Sequence, residues 1–120
     1  GLAAILAHKI PAIGKVVNVV SGGNVDVNFI SRMIERGLVR AGRRIKIEAF
    51  INDRPGILQQ LLTVIANTRA NVIHVSHNRI EQNVPIGQAV VEISLETRDT
   101  QHAQQILTNL RQNGYNARML

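Results

Sequence analysis

The chain has 120 residues, of which 45% are hydrophobic, and a formal net charge of +6 at pH 7. This length suits one domain, or one small domain with a piece of another, and the hydrophobic content is enough for a packed core, which excludes wholesale disorder. No apolar run approaches about 18 residues, which argues against a membrane span, and the absence of cysteine excludes disulfides and thiolate metal sites and fits the cytoplasm.

The positive charge is concentrated in the first part of the chain. Residues 1–46 contain eight Lys and Arg against two acidic residues, whereas residues 47–120 contain six of each sign. The basic 32–46 segment could contact the phosphates of a nucleic acid, or it could be a solvated helix face. With two Phe, one Tyr and no Trp in the chain, no stacking platform accompanies it, and we expect no nucleic-acid partner. Four arginines form the stripe: Arg32, Arg36, Arg40 and Arg43.

The first third of the chain is typical of a fragment of an α/β sheet. Leu2–Lys9 predicts the end of a helix, Lys15–Val20 a short and nearly continuous apolar strand, and 24–42 an amphipathic helix. A single parallel strand cannot satisfy its own backbone groups. We therefore expect residues 15–34 to pack against the rest of the chain or against another chain, burying Val16, Val17, Val19 and Ile30.

From Arg43 onward the pattern changes to six elements in the order β-α-β-β-α-β. This is the ferredoxin-like order, an α+β fold in which two helices cover one side of a four-stranded antiparallel sheet and the edge strands remain free to pair. In the second strand we expect Ile73 and Val75 to face inward. The predicted strands are 44–51, 71–79, 87–96 and 115–120, and the predicted helices are 57–69 and 99–114.

The best candidate site is the turn at residues 52–56, Asn-Asp-Arg-Pro-Gly, between the first strand and the first helix of this unit. Proline fixes φ and glycine suits the tightest corner, so backbone N–H groups at the helix start point toward a carboxylate or phosphate. Asp53 can take the cationic end of the same ligand, and Asn71, which opens the next strand, offers an amide donor and acceptor. An Asx turn at Asp53 and a loop asparagine at position 71 explain the residues equally well.

Other candidate chemistry has weaker support. His74 and His77 are three residues apart in a strand and face opposite sides of it, so they cannot chelate a metal together, and we expect no metal site. Ser21 follows an apolar run but lacks the flanking residues of a nucleophile elbow and an evident base. No catalytic residue is predicted.

Residues 43–120 resemble an ACT domain, the small ligand-binding module of amino-acid metabolism. The resemblance rests on residues 53–58 (DRPGIL) followed by residues 70–72 (ANV). It implies an amino-acid effector bound across a subunit interface, with Asp53 on the ligand ammonium and Gly56 and Ile57 near its carboxylate. Asn71 would come from the paired copy, and a homodimer or higher oligomer would form through the sheet edges.

Residues 1–42 resemble the end of the catalytic domain of the threonine dehydratases, pyridoxal-phosphate lyases that convert threonine to 2-oxobutanoate and ammonia. Residues 15–26 (KVVNVVSGGNVD) and 32–38 (RMIERGL) carry this resemblance. It implies a domain boundary at 42/43 and places Ser21 on the pyridine nitrogen of the cofactor in the parent enzyme.

The Schiff-base lysine motif and the glycine-rich phosphate loop of that family are absent from this chain. We therefore expect the chain to hold no cofactor and to catalyse nothing by itself. The resemblance implies an allosteric regulatory piece of such an enzyme. Isoleucine, the end product of the pathway that the biosynthetic enzymes feed, is the expected effector, with valine, threonine and serine as alternatives. The alternative functions are a purely structural dimerisation module and a nucleic-acid binder that uses the basic 32–46 segment.

Overall fold

The computed structural model describes residues 1–11, 13–19, 22, 25–80 and 84–120. These residues divide into two compact units, Gly1–Ile30 and Ser31–Leu120, and the division falls within a helix. The domain boundary at 42/43 stays a prediction. None of the described helices is long and apolar enough to cross a membrane.

The first unit contains little regular structure. Helix α1 covers Leu2–Leu6, and helix α2, Val27–Arg40, begins in this unit. Residues 15–19 form neither helix nor strand, so the predicted strand is wrong there, and Val20 lies outside the described residues. A strand needs partners for its backbone groups, and the one sheet of the described residues contains no strand from this segment.

The predicted burial in this segment is also wrong for this chain. Val16 is 48% exposed, Val17 86%, Val19 76% and Ile30 41%. The described residues therefore do not bury these four side chains in a core. Packing against another chain stays a prediction.

The second unit contains the end of α2 and six further elements in the predicted order. Neighbouring strands are all antiparallel and the sheet order is β2-β3-β1-β4, which leaves β2 and β4 as edges. The ferredoxin-like α+β fold is confirmed. The elements are β1 Arg44–Asn52, α3 Ile57–Asn67, β2 Asn71–Asn78, β3 Gln88–Glu96, α4 Thr100–Gln112 and β4 Asn116–Met119.

The core lies between one face of the sheet and helices α3 and α4. Every second residue of β1 and β3 points into it, as the two-residue period of a strand requires. On α3, Leu61 and Ile65 are buried, and Ile57, Leu58 and Leu62 pack at the margin of the core. The sheet and α4 contribute Ile45, Ile47, Ala49, Ile51, Ala89, Val91, Ile93, Leu95, Ala103, Ile106, Leu107 and Leu110.

Strand β2 departs from the predicted alternation. A register shift lies between Val72 and His74, and Ile73 is 45% exposed, so the prediction that Ile73 faces inward is wrong. The extra residue of a bulge breaks the regular alternation of side chains. After the bulge the alternation resumes: Val75 packs partly against the core. His74 and His77 stand opposite Ser94 and Val91, on different faces of the sheet as predicted.

Candidate functional site

The turn from β1 to α3 has the tight geometry that its sequence predicts. Gly56 is the N-cap of α3 and adopts the left-handed conformation, φ 87° and ψ −21°. The Asp53 N–H donates to the Gly87 carbonyl at 2.9 Å, which ties the turn to the start of β3. Among the described residues no side chain caps α3 at Gly56. The Ile57 N–H donates to the Arg54 carbonyl at 3.3 Å, and the helix dipole makes this end of α3 attractive to an anion.

Asp53 lies between this turn and two basic side chains at the end of β2. Its side chain is 28% exposed, and its Oδ2 is 3.1 Å from the Nε of Arg79. Its other oxygen, Oδ1, is 3.9 Å from the Nε2 of His77. Strand β3 runs between β1 and β2. The Asp53 carboxylate, which follows β1, therefore contacts residues at the end of β2 across the start of β3.

A cavity of ≈ 620 Å³ opens at the same end of the sheet. Asn52 of the turn and Ile57 of α3 line it, together with residues near the start of β3 and the start of β4. Its volume falls in the range of small-molecule sites. The lining combines carboxamide side chains with apolar and aromatic ones: Phe50, Ile51, Gln60, Pro85, Gln88, Asn113, Gly114, Tyr115 and Asn116.

Asn71 lies at the opposite end of the sheet from Asp53. It stands beside Glu96 at the end of β3, and its Nδ2 donates to the Glu96 Oε2 at 3.3 Å. Asn52 pairs with Gln88 at the start of β3. The length of β3 between these points is about 26 Å at roughly 3.3 Å per residue. Within one chain, Asp53, Gly56 and Ile57 come together, and Asn71 does not join them.

The face of the sheet away from the helices carries a separate set of charges. Arg118 Nε lies 2.5 Å from Glu48 Oε2, and Lys46 Nζ lies 2.5 Å from Glu92 Oε2. The hydrogen bond to Glu48 and the negative charge of that carboxylate raise the pKa of the Arg118 guanidinium. These charges are paired with one another and are not part of the site at the turn.

The sequence profile of the ACT domain matches residues 42–114, more than half of the chain. The chain belongs to the ACT domain family. It is 48% identical to the L-threonine ammonia-lyase of Thermotoga maritima, an alignment that covers 100% of this chain and 30% of that protein. The corresponding enzyme of Geobacter sulfurreducens is 44% identical, with coverage of 95% and 29%. The chain thus spans less than a third of the length of these two curated relatives.

The fold of this ACT domain is also found among solved structures. The ACT domain from the GTP pyrophosphokinase of Chlorobium tepidum superimposes with a TM-score of 0.51 and 18% sequence identity. The match covers 64% of this chain and 96% of that one. At this level of identity the likeness shows the fold alone.

Sequence reasoning about the ACT site missed Arg79 and His77. His77 stands opposite the buried Val91, and Arg79 directly follows β2. Strand β3 lies between β1 and β2 in the sheet, so the contact joins residues distant in sequence, and no local pattern indicated it. Ser21, the predicted cofactor contact, lies outside the described residues.

Proposed function

We propose that this ACT chain is the regulatory, amino-acid-binding portion of a threonine ammonia-lyase and that isoleucine is its effector. The parent enzyme deaminates threonine to 2-oxobutanoate and ammonia. The similarity to two L-threonine ammonia-lyases along nearly the whole chain supports the choice of enzyme. The observation that carries the ligand class is the partly exposed Asp53 carboxylate on the turn that starts α3.

In the proposed complex the ligand's charges match the two features of this turn. The ammonium group lies against the carboxylate of Asp53. The carboxylate of the ligand lies near Gly56 and Ile57, at the positive end of the α3 dipole. An aliphatic side chain then packs beside Ile57, which lines the cavity of ≈ 620 Å³.

The site becomes complete in a homodimer that pairs through β2. This edge strand has eight residues and is mostly exposed, so its outer N–H and C=O groups can extend the sheet into a second copy. Antiparallel pairing of the two β2 strands about a two-fold axis sets the start of one strand beside the end of the other. Asn71 of the partner subunit would then approach the Asp53 end of the first copy. Larger assemblies can form through the β4 edge.

Regulation follows if the effector binds two arrangements of the paired domains with different affinity. A coupling of about 1–3 kcal/mol between effector site and catalytic site is typical of such systems. In this chain the signal would pass through residues 37–46, which join α2 to β1.

We propose that the parent enzyme is cytoplasmic and that the rest of its chain holds the pyridoxal phosphate. In that enzyme Ser21 would contact the pyridine nitrogen of the cofactor. The lysines of this chain do not fit the role of a cofactor-binding lysine. Lys9 and Lys15 are exposed, and Lys46 pairs with Glu92 on the open face of the sheet. The chain by itself is therefore proposed to be non-catalytic.

Titration calorimetry with isoleucine, valine, threonine and serine tests the proposal. We expect saturable binding of isoleucine to the wild-type chain and a loss of at least about tenfold in affinity in Asp53→Asn, since a neutral amide cannot balance the ammonium charge. Glu92→Gln, which removes a carboxylate from the open face, is the matched control and should bind like wild type. Equal affinity in Asp53→Asn and wild type, or no binding of any amino acid, would refute the proposal.

A purely structural dimerisation module is the second candidate, and the long exposed β2 edge favours it. Such a module would dimerise to the same extent with and without amino acids. Sedimentation velocity at several isoleucine concentrations separates the two functions, because an effector that binds across the interface must strengthen the dimer.

A further inference from the structure

The ion pair between Asp53 and Arg79 has an arrangement that suits a zwitterionic ligand. It joins the Oδ2 of Asp53 to the Nε of Arg79 at 3.1 Å. The second carboxylate oxygen, Oδ1, lies 3.9 Å from His77 Nε2, beyond hydrogen-bonding distance. Asp53 thus presents one engaged oxygen and one oxygen that a ligand ammonium can reach.

Arg79 likewise retains binding capacity beyond this contact. A guanidinium group carries five N–H donors in a planar fork, and in Arg79 the nitrogen close to Asp53 is Nε, 3.1 Å from Oδ2. The Arg79 side chain is 64% exposed, so a ligand in solution can reach it. An ion pair this exposed contributes little to stability, and its value lies in where it holds the guanidinium.

We propose that Arg79 binds the carboxylate of the effector and thereby makes the site specific for amino acids with a free carboxylate group. Asp53 holds Arg79 through Oδ2 and receives the ligand ammonium on Oδ1. The inference rests on the proposed function, because it names the residue that recognises one end of the proposed ligand.

The four charges then form a closed set with alternating signs. An α-amino acid separates its ammonium nitrogen from its carboxyl carbon by two bonds, a spacing that matches adjacent anionic and cationic protein groups. The ligand ammonium neutralises Asp53, and the ligand carboxylate neutralises Arg79 through paired N–H···O bonds. The ion pair seen in the structure therefore does not have to break when the ligand binds.

This arrangement adds a fixed positive charge to the neutral N–H groups of α3. A ligand without a carboxylate loses the contact with Arg79 and leaves the guanidinium paired with Asp53 alone. The site should therefore discriminate strongly between an amino acid and its amide, although the two have the same side chain and the same ammonium group.

The test compares isoleucine with isoleucinamide in wild type, Arg79→Gln and Arg98→Gln. Calorimetry gives the ratio of the two affinities in each protein. We expect Arg79→Gln to lower the preference for isoleucine over isoleucinamide by about tenfold or more. Arg98 is an exposed arginine at the start of α4 and serves as the matched control, so its substitution should leave the ratio unchanged. Arg79→Lys, which keeps the charge and loses the fork, should fall between wild type and Arg79→Gln.

An unchanged affinity ratio in Arg79→Gln would overturn the inference, including the case in which both ligands weaken equally, because Arg79 would then act only by positioning Asp53. That result leaves the proposed function standing if wild-type chain still binds isoleucine. Failure of the wild-type chain to bind any amino acid would instead overturn the proposed function, and this inference with it.

Discussion

Replacing Gly56 by alanine tests whether the strand-to-helix turn depends on a left-handed glycine. Gly56 has φ 87°, and a Cβ built on it would meet no heavy atom of the described residues within 4 Å. The substitution therefore introduces backbone strain without a steric clash. An L-residue pays about 1–2 kcal/mol in the left-handed region, and the loss of unfolded-state entropy returns about 0.4–1 kcal/mol. The net destabilisation should be about 1 kcal/mol.

Gly42→Ala gives the contrasting case within the same unit. Gly42 has φ 65°, and its Cβ would lie 2.5 Å from the Oγ1 of Thr100, 2.7 Å from its N and 2.8 Å from its Cα. Two of these atoms belong to the backbone and cannot rotate away, so overpacking adds to the strain. We expect a loss of about 2–4 kcal/mol.

Urea unfolding followed by far-UV circular dichroism measures both losses, and thermal melts should show Gly56→Ala lowering Tm by about 4–8 °C for a unit of this size. Gly56→Asn should cost less than Gly56→Ala, because asparagine tolerates the left-handed region.

The two glycine sites should also differ in function. Gly56→Ala reorients the first N–H groups of α3 and should weaken isoleucine binding, whereas Gly42 lies at the far end of β1 and its substitution should not. Equal losses of stability at the two positions, or unchanged isoleucine affinity in Gly56→Ala, would refute the reasoning.

Two further predictions concern a buried histidine and the β2 edge. His102 is 2% exposed, its Nδ1 accepts from the Arg98 N–H at 3.2 Å, and its Nε2 lies 2.8 Å from the Thr68 carbonyl. His102→Ala leaves both partners without their bond and opens a cavity, so it should lower the free energy of unfolding in urea by about 2–4 kcal/mol. A loss below about 1 kcal/mol would contradict this account. Ile73→Lys places a charge on the exposed bulge of β2 and should convert the proposed dimer to monomer in sedimentation velocity, whereas an unchanged dimer would mean that pairing uses another edge.

Local turn chemistry made the Asp53 turn predictable from sequence. Pro55 fixes its own φ and Gly56 permits the left-handed conformation, so the tight corner and the helix start at Ile57 follow from five consecutive residues. The two-residue and 3.6-residue periods likewise predicted the elements of the second unit, most clearly β1, β3 and the two helices, each of which buries one face against a shared core.

The features that the sequence did not predict depend on distant residues. The contact between Asp53 and Arg79 joins the ends of β1 and β2, two strands that β3 separates in the sheet. The bulge in β2 arises from register against β3, which the composition of β2 does not reveal. The apolar run at residues 15–19 has strand-like composition, but composition supplies no partner strand, and the segment remains without regular structure.

The most direct test of the account concerns the claim that an amino acid binds at Asp53 with the help of Asn71 of the partner subunit. Asp53→Ala and Asn71→Ala chains are mixed in equal amounts, allowed to exchange subunits, and titrated with isoleucine in a calorimeter. Each variant alone should bind at least about tenfold more weakly than wild type. A mixed dimer carries one site in which both residues are intact, so random exchange should restore wild-type affinity at about one site for every four chains. A mixture that binds no more tightly than the separate variants would contradict the shared site.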